Sequence, residues 1–270
     1  MNKIIPALLF TLLSEMVFAE DSIDELTKQC NLGNAQSCNL LGIKYAEGKE
    51  VGQDLPKAIE IFSKACDSNS SEACNNLGFI HSGEYPNFID EAKSYEYYSK
   101  SCSLGHGDGC FRVGLCYDMG IHVAANPETA IEYFTKGCDL NNPNACNTLG
   151  ISYGNGEGVE QDFVKAAELF YKSCDLNNPI GCSNLGVSYL NGTGVEQNGF
   201  LANELFFRAC NADYSVACKN LGISFQKGIN IKVDRNIAEA YFKKGCALGE
   251  ESSCAEAERM ANNRPAKIKK

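Results

Sequence analysis

The chain has 270 residues, with 34 Asp and Glu against 24 Lys and Arg, 3 His, 15 Cys and no Trp. A net charge of −10 argues against nucleic acid as the main partner, because phosphate backbones are held by basic surfaces, and against docking on an anionic membrane. An apolar fraction of 44% is that of a globular chain, and the length calls for two domains or a repeat array.

Residues 1–19 are expected to form a secretory leader. Lys3 supplies the positive start, and the apolar run from Ile4 to Leu13 is broken only by Pro6 and Thr11. Val17 and Ala19 stand where a signal peptidase reads small residues, which predicts cleavage before Glu20. A membrane span needs roughly 20 apolar residues, and Ser14 and Glu15 end this run well short. Lys3 and Glu15 cancel, so the cleaved chain keeps its charge of −10, and nothing further along is apolar enough to span a bilayer.

The cysteines carry the strongest pattern. Cys116 set aside, they form seven pairs eight positions apart: Cys30 and Cys38, Cys66 and Cys74, Cys102 and Cys110, Cys138 and Cys146, Cys174 and Cys182, Cys210 and Cys218, Cys246 and Cys254. Each pair begins 36 residues after the one before. A fixed period of this length is the mark of a solenoid of stacked supersecondary units. Residues 20–260 are assigned to the array and residues 261–270 to a basic, disordered tail.

Other columns keep the same period. Leu26, Phe62, Tyr98, Phe134, Phe170, Phe206 and Phe242 stand four residues before the first Cys of each pair. Ala58, Ala130, Ala166, Ala202 and Ala238 stand eight before it, with Ser22 and Ser94 as variants. Lys28, Lys64, Lys100, Lys136, Lys172, Arg208 and Lys244 stand two before it. After the second Cys come Leu-Gly or Val-Gly steps such as Leu41-Gly42 and Val113-Gly114, then Tyr45, His81, Tyr117, Tyr153, Tyr189 and Phe225. Spacings of three, four and eight are helical. A first helix therefore runs into the first Cys, with a base at its negative end. A second helix starts near the second Cys. Its Gly costs about 1 kcal/mol of helix propensity relative to Ala and is expected to admit the next aromatic ring. Gly156-Glu157-Gly158-Val159 and Gly192-Thr193-Gly194-Val195 close the unit.

Eight residues of helix span about 12 Å, whereas a disulfide needs Cα atoms within roughly 7 Å. The chain must reverse between the paired cysteines, and Asp139 to Pro143 and Asp175 to Pro179 carry the turn residues and helix-start Pro to do it. Each pair is expected to staple a helix–turn–helix, with roughly 2–3 kcal/mol from each loop closure. Leader and paired cysteines agree on an oxidising compartment, so the chain is expected to be secreted or periplasmic. No C-x-x-C occurs, and His81, His106 and His122 show no metal-site spacing, so no metal or other cofactor is expected. His81 is expected to fill a Tyr position.

The motif A-x-x-x-F-x-K-x-C, seven residues, then C-x-x-L-G-x-x-Y-x-x-G-x-G-V, clearest from Ala130 to Val159, resembles the Sel-1-like repeat. A Cys pair in every unit is similar to the secreted cysteine-rich Hcp-type branch. The resemblance covers about Ser22 to Met260 and implies an all-α, right-handed superhelical solenoid of antiparallel helix pairs. Departures are local: His81 and a shortened glycine signal near Gly83, the extra Cys116, and Ala257-Glu258 where the last copy loses Leu-Gly and forms a polar cap.

The same resemblance implies penicillin binding or weak β-lactam hydrolysis. Of the serine β-lactamase motifs only S-x-x-K occurs, at Ser224 to Lys227, without S-D-N or K-T-G. Ser224 shares its column with Ser152 and Ser188 and reads as repeat filling, leaving Ser224 and Lys227 as the sole catalytic candidates. Cys116 has no partner in the ladder. It is either a reactive or intermolecular thiol or an inert small side chain, and its variable column points away from the deep core. Asn39, Asn75, Asn76, Asn147, Asn184 and Asn220 recur near the start of the inner, second helices although Asn is a poor helix former. They either help cap those helices or face a concave groove and offer amide groups to a bound peptide. The expected function is a scaffold for an extended peptide or cell-wall fragment, with β-lactam hydrolysis as the alternative.

Overall fold

The computed structural model describes residues 22–262. The expected leader over residues 1–19 and the basic end from Arg264 to Lys270 lie outside them. Fourteen α-helices follow one another, and no strand occurs among the described residues. They are α1 (Ile23–Asn31), α2 (Ala35–Glu47), α3 (Leu55–Asp67), α4 (Ser71–Phe79), α5 (Glu91–Ser103), α6 (Gly107–Met119) and α7 (Pro127–Asp139), then α8 (Pro143–Asn155), α9 (Phe163–Asp175), α10 (Pro179–Asn191), α11 (Gly199–Asn211), α12 (Ser215–Lys227), α13 (Arg235–Ala247) and α14 (Glu251–Asn262). A π-helical turn (Ile80–Glu84) and a short 3-10 turn (Pro86–Phe88) separate α4 from α5. Odd-numbered helices are the first members of each pair and even-numbered helices the second. The chain forms an all-helical solenoid in two compact units, one ending at Leu77 and one beginning at Gly78.

Local chemistry sets most of the boundaries, although α12 starts after Tyr214 without a side-chain cap. Asp54, Asp90, Asn126, Asp162, Asn198 and Asp234 recur 36 apart, each accepting a backbone N–H at the start of a first helix. The backbone N–H of each of these residues donates to the carbonyl of the aromatic or His nine positions earlier, from Tyr45 to Phe225. Ser22 does the same capping job for the shorter α1, so it is an exposed cap and not the buried small residue its column suggests. Ser94 keeps that column's role: it is buried, and its hydroxyl donates to the Gly78 carbonyl at 2.9 Å.

The tight turn works as the paired cysteines require. In the Asn-Asn steps, Asn141 and Asn177 take the left-handed conformation, while Asn142 and Asn178 cap the next helix through Oδ1. Pro143 and Pro179 follow at the first helical position, where a missing N–H costs nothing. The reversal brings the paired cysteine Cα atoms to 4.4–4.8 Å, and all seven pairs are bonded, one per repeat.

Across the glycine loop the lock is steric. Phe134 lies flat on Gly114, with a ring carbon 2.5 Å from where a Cβ would be built, and Phe62 does the same on Gly42. Gly78, Gly150, Gly186 and Gly222 receive Tyr98, Phe170, Phe206 and Phe242. Most of these rings are fully buried and form the centre of the core. Each helix from α2 to α13 is thus tied to one neighbour by sulfur and to the other by a ring seated on glycine. In the second unit α6 packs on α8 and α8 on α10, so these three second helices form one layer.

The glycine lock predicts opposite outcomes at two positions of one helix. A Cβ on Gly150 would meet the Phe170 ring at 2.7 Å, whereas one on Gly154 finds nothing closer than 3.8 Å. In chemical denaturation followed by circular dichroism, Gly150→Ala should destabilise by about 1–3 kcal/mol, while Gly154→Ala should stabilise by roughly 0.5–1 kcal/mol.

Candidate functional site

The asparagine column does not cap. Capping is done by Asn34, Asn142 and Asn178, four residues before the second cysteines. The column instead links successive second helices. Asn76 Nδ2 donates to Asn39 Oδ1 at 2.8 Å, and Asn184 Nδ2 donates to Asn147 Oδ1 at 2.9 Å. Asn39 and Asn147 are buried, while Asn75, Asn76, Asn184 and Asn220 are half-buried. Each amide pair uses one donor and one acceptor and leaves the remaining groups of Asn76 and Asn184 at the layer's surface. The pairing spans one repeat, which is why a spacing of 37 in sequence gives no local signal.

Two members of the basic column reach one repeat back, whereas Lys28 and Lys64 pair with Glu25 and Glu60 of their own helices. Arg208 Nη2 donates to the Cys174 carbonyl at 2.8 Å and to Asn177 Oδ1 at 2.9 Å. Lys244 Nζ donates to the Cys210 carbonyl at 2.7 Å and pairs with Asp213 at 3.0 Å. These cations neutralise the carbonyl end of the preceding first helix, so the dipole argument holds, but for the neighbour's helix.

A cleft of about 520 Å³ lies on the other layer, between the first helices α9 and α11. Leu185 and Tyr189 of α10 line it together with Leu201 and Leu205, and Asp175, Glu204, Arg208 and Asn211 are its polar groups. Tyr171 and Phe207 line it while remaining 62% and 49% exposed. Val164 and Phe200, seven residues before them on the same helix faces, are also exposed. In earlier repeats the Tyr171 and Phe207 column holds Thr27, Ser63, Ser99 and Thr135. That change from polar to aromatic was present in the sequence, and the regular columns masked it.

Ser224 is 1% exposed at the end of α12, where its carbonyl takes the Gly228 N–H at 2.8 Å, while Lys227 is exposed. His81 is buried in the tyrosine column and stacks on Tyr97 at 5.9 Å, as Tyr117 stacks on Tyr133 at 5.7 Å. His106 caps α6. The Tyr117 hydroxyl is 3.0 Å from that of Tyr95, whose pKa burial and this contact push up to about 12.

Cys116 is the free thiol among the described residues, and it is buried, as are Ile80, Ser152, Ser188 and Ser224 of its column, while Lys44 is half-buried. Ser152 and Ser188 tolerate that position because their hydroxyls donate to the carbonyls of Thr148 and Asn184, each 3.2 Å away. Burial, followed by the Glu91 charge, pushes the Cys116 thiol above its ordinary range, and Arg112 opposes them.

The Sel1 repeat family matches six consecutive windows, residues 35–70, 71–106, 107–142, 143–178, 179–214 and 215–250, and the chain belongs to that family. Each window begins on a second helix and ends in the tight turn after the next first helix. In that register the disulfides bridge consecutive repeats, and the glycine lock lies inside each repeat. No curated protein matches the chain. A Sel1 repeat protein from Oxalobacter formigenes superposes with a TM-score of 0.78 at 24% identity, over 88% of this chain and 68% of that one. A protective antigen of uropathogenic Escherichia coli, c5321, displaying an SLR fold, superposes with a TM-score of 0.77 at 24% identity, over 90% of this chain. The chain spans about half of that antigen's length, 52%. Helicobacter pylori cysteine rich protein B is 33% identical over 51% of this chain and 99% of its own, with a TM-score of 0.42. Among the described residues no helix is long and apolar enough to cross a membrane. The protein is a disulfide-stapled Sel1 repeat scaffold, a fold of protein interaction.

The raised thiol pKa fixes the sign of a pH test. At neutral pH Cys116 is held protonated, so iodoacetamide should alkylate the native protein slowly, with a rate that rises only above the ordinary thiol range. After unfolding with the disulfides intact, the inflection should return to that range. A native inflection at or below it would contradict the burial argument.

Proposed function

We propose that the chain is an exported scaffold that holds a protein partner as an extended peptide, with an apolar side chain of that peptide anchored between α9 and α11. The observation that carries this reading is the exposure of Tyr171 and Phe207 over the cleft. Folding alone gives no reason to leave two large rings exposed on adjacent repeats where earlier repeats carry Thr or Ser. The carboxylates of Asp175 and Glu204 beside the apolar floor favour a Lys or Arg next to the anchoring residue. Arg208 lines the same cleft and offsets one of the two carboxylates, so the lining keeps a net negative charge. Export is supported by the seven disulfides, which persist in oxidising compartments, and by the leader pattern of residues 1–19. Within the second unit, the side chains of Asn184 and Asn220 offer the second helices as a backbone-recognising face for the same kind of ligand.

Panning a random dodecapeptide display library over the immobilised oxidised protein tests the reading. The enriched peptides should carry a large apolar residue beside Lys or Arg. Tyr171→Ala with Phe207→Ala should weaken their binding at least about tenfold at unchanged Tm. Loss of binding in Asn184→Ala with Asn220→Ala instead would move the site to the second helices. Affinity unchanged in both double variants, or nitrocefin hydrolysis at ordinary enzyme rates, would overturn the reading.

A further inference from the structure

The repeat pattern breaks once in the second unit, between α4 and α5. The usual glycine loop is replaced by the π-helical turn at Ile80–Glu84, with Gly83 at φ 129°, and the 3-10 turn at Pro86–Phe88. Beside this break is a separate pocket of about 300 Å³. Tyr98, Arg112 and Cys116 line it together with Glu91, Leu115 and Met119.

Two of these groups are not explained by folding. Tyr98 is 3% exposed and stands in the column that Phe62, Phe134 and Phe206 fill, its ring seated on Gly78 as theirs are on their glycines. The ring alone would complete the lock, yet Tyr98 carries a buried hydroxyl that makes no hydrogen bond. Ser82, which donates to the Phe79 carbonyl at 2.8 Å, lies close to that hydroxyl without completing one. Arg112 Nε is likewise buried without a hydrogen bond and has only an ion pair with Asp108 at 3.8 Å. A buried donor left unmatched costs stability, so two of them lining one pocket call for an acceptor from outside. Tyr98, Arg112 and Cys116 line the one cavity together.

We propose that this pocket binds a small monocarboxylate with a short apolar chain, its carboxylate taking hydrogen bonds from Tyr98 and Arg112 and its chain lying against Leu115, Cys116 and Met119. A carboxylate is the acceptor that receives two donors at once, and because Asp108 already pairs with the guanidinium and Glu91 also lines the pocket, its preference rests on those two donors and not on net charge. The volume corresponds to roughly ten water-sized groups, which fits an acid of five to eight carbons and no macromolecular segment. The site is distinct from the cleft between α9 and α11 and does not depend on the peptide reading. Cys116 contributes a wall and serves as an internal reporter.

The probe is 4-methylpentanoate, with the neutral 4-methylpentanamide as control, titrated into the oxidised protein by calorimetry and by ligand-observed NMR. The acid should bind saturably and slow alkylation of Cys116, and the amide should bind at least about tenfold more weakly. Tyr98→Phe keeps the ring that the fold needs, so it should match or exceed the native Tm while losing at least about tenfold in affinity for the acid. No saturable binding of the acid, equal binding of acid and amide, or native affinity in Tyr98→Phe would each overturn the proposal.

Discussion

Two sulfur atoms eight residues apart can bond only if the chain turns back between them, and that constraint organises the molecule. It fixes a short reversal after every first helix, and the residues of the reversal follow from it. A left-handed position favours Gly, Asn or Asp, and at Asn34, His106, Asn142 and Asn178 the next residue caps the following helix. Residues after the second cysteine then build a helix whose far end faces the next first helix. There the contact is made by shape, a ring filling the space a side chain would occupy on glycine. Sulfur and glycine alternate along the array. Neither suffices alone, because a hairpin stapled only at its turn leaves its apolar faces open, and rings on glycine do not hold the turn.

Much of this was legible in the sequence because it repeats. The cysteine pairs, the aromatic and glycine columns and the Asn-Asn-Pro turns are local patterns whose chemistry admits few geometries. What was not legible is contact across a repeat. The amide pairs of Asn39 with Asn76 and Asn147 with Asn184 join residues 37 apart, and the cations at Arg208 and Lys244 serve the preceding first helix. Periodicity shows that a column exists; it does not show which neighbour its members reach. Ser22 is the converse case, a residue in register by number that does the work of a cap because α1 is short. Cys116 was misplaced for a related reason: variable chemistry looked like exposure, whereas small side chains bonded to their own helix tolerate burial.

Regularity also makes departures informative. In an array whose core positions are set by stacking, a residue that exceeds the structural need stands out. Tyr171 and Phe207 exceed it by being aromatic on an exposed face. Tyr98 exceeds it by one oxygen atom, next to the segment where the loop pattern changes. These positions were visible as exceptions in their columns, but their meaning needed the clefts beside them. Function in such a scaffold sits in the exceptions, while the repeats supply rigidity and spacing.

The pairing of the thiols is the claim on which the account rests, and tryptic mapping of the unreduced protein under alkylating conditions tests it directly. Cleavage at Lys and Arg leaves both members of each pair in one peptide, over residues 29–44, 65–93, 101–112, 137–165, 173–208, 209–219 and 245–259. The account predicts these seven peptides as monomers, each lighter by two hydrogen atoms than its reduced form. It also predicts the peptide of residues 113–136 alkylated at Cys116 alone. Peptides cross-linked to one another, or alkylated at any of the paired cysteines, would contradict it.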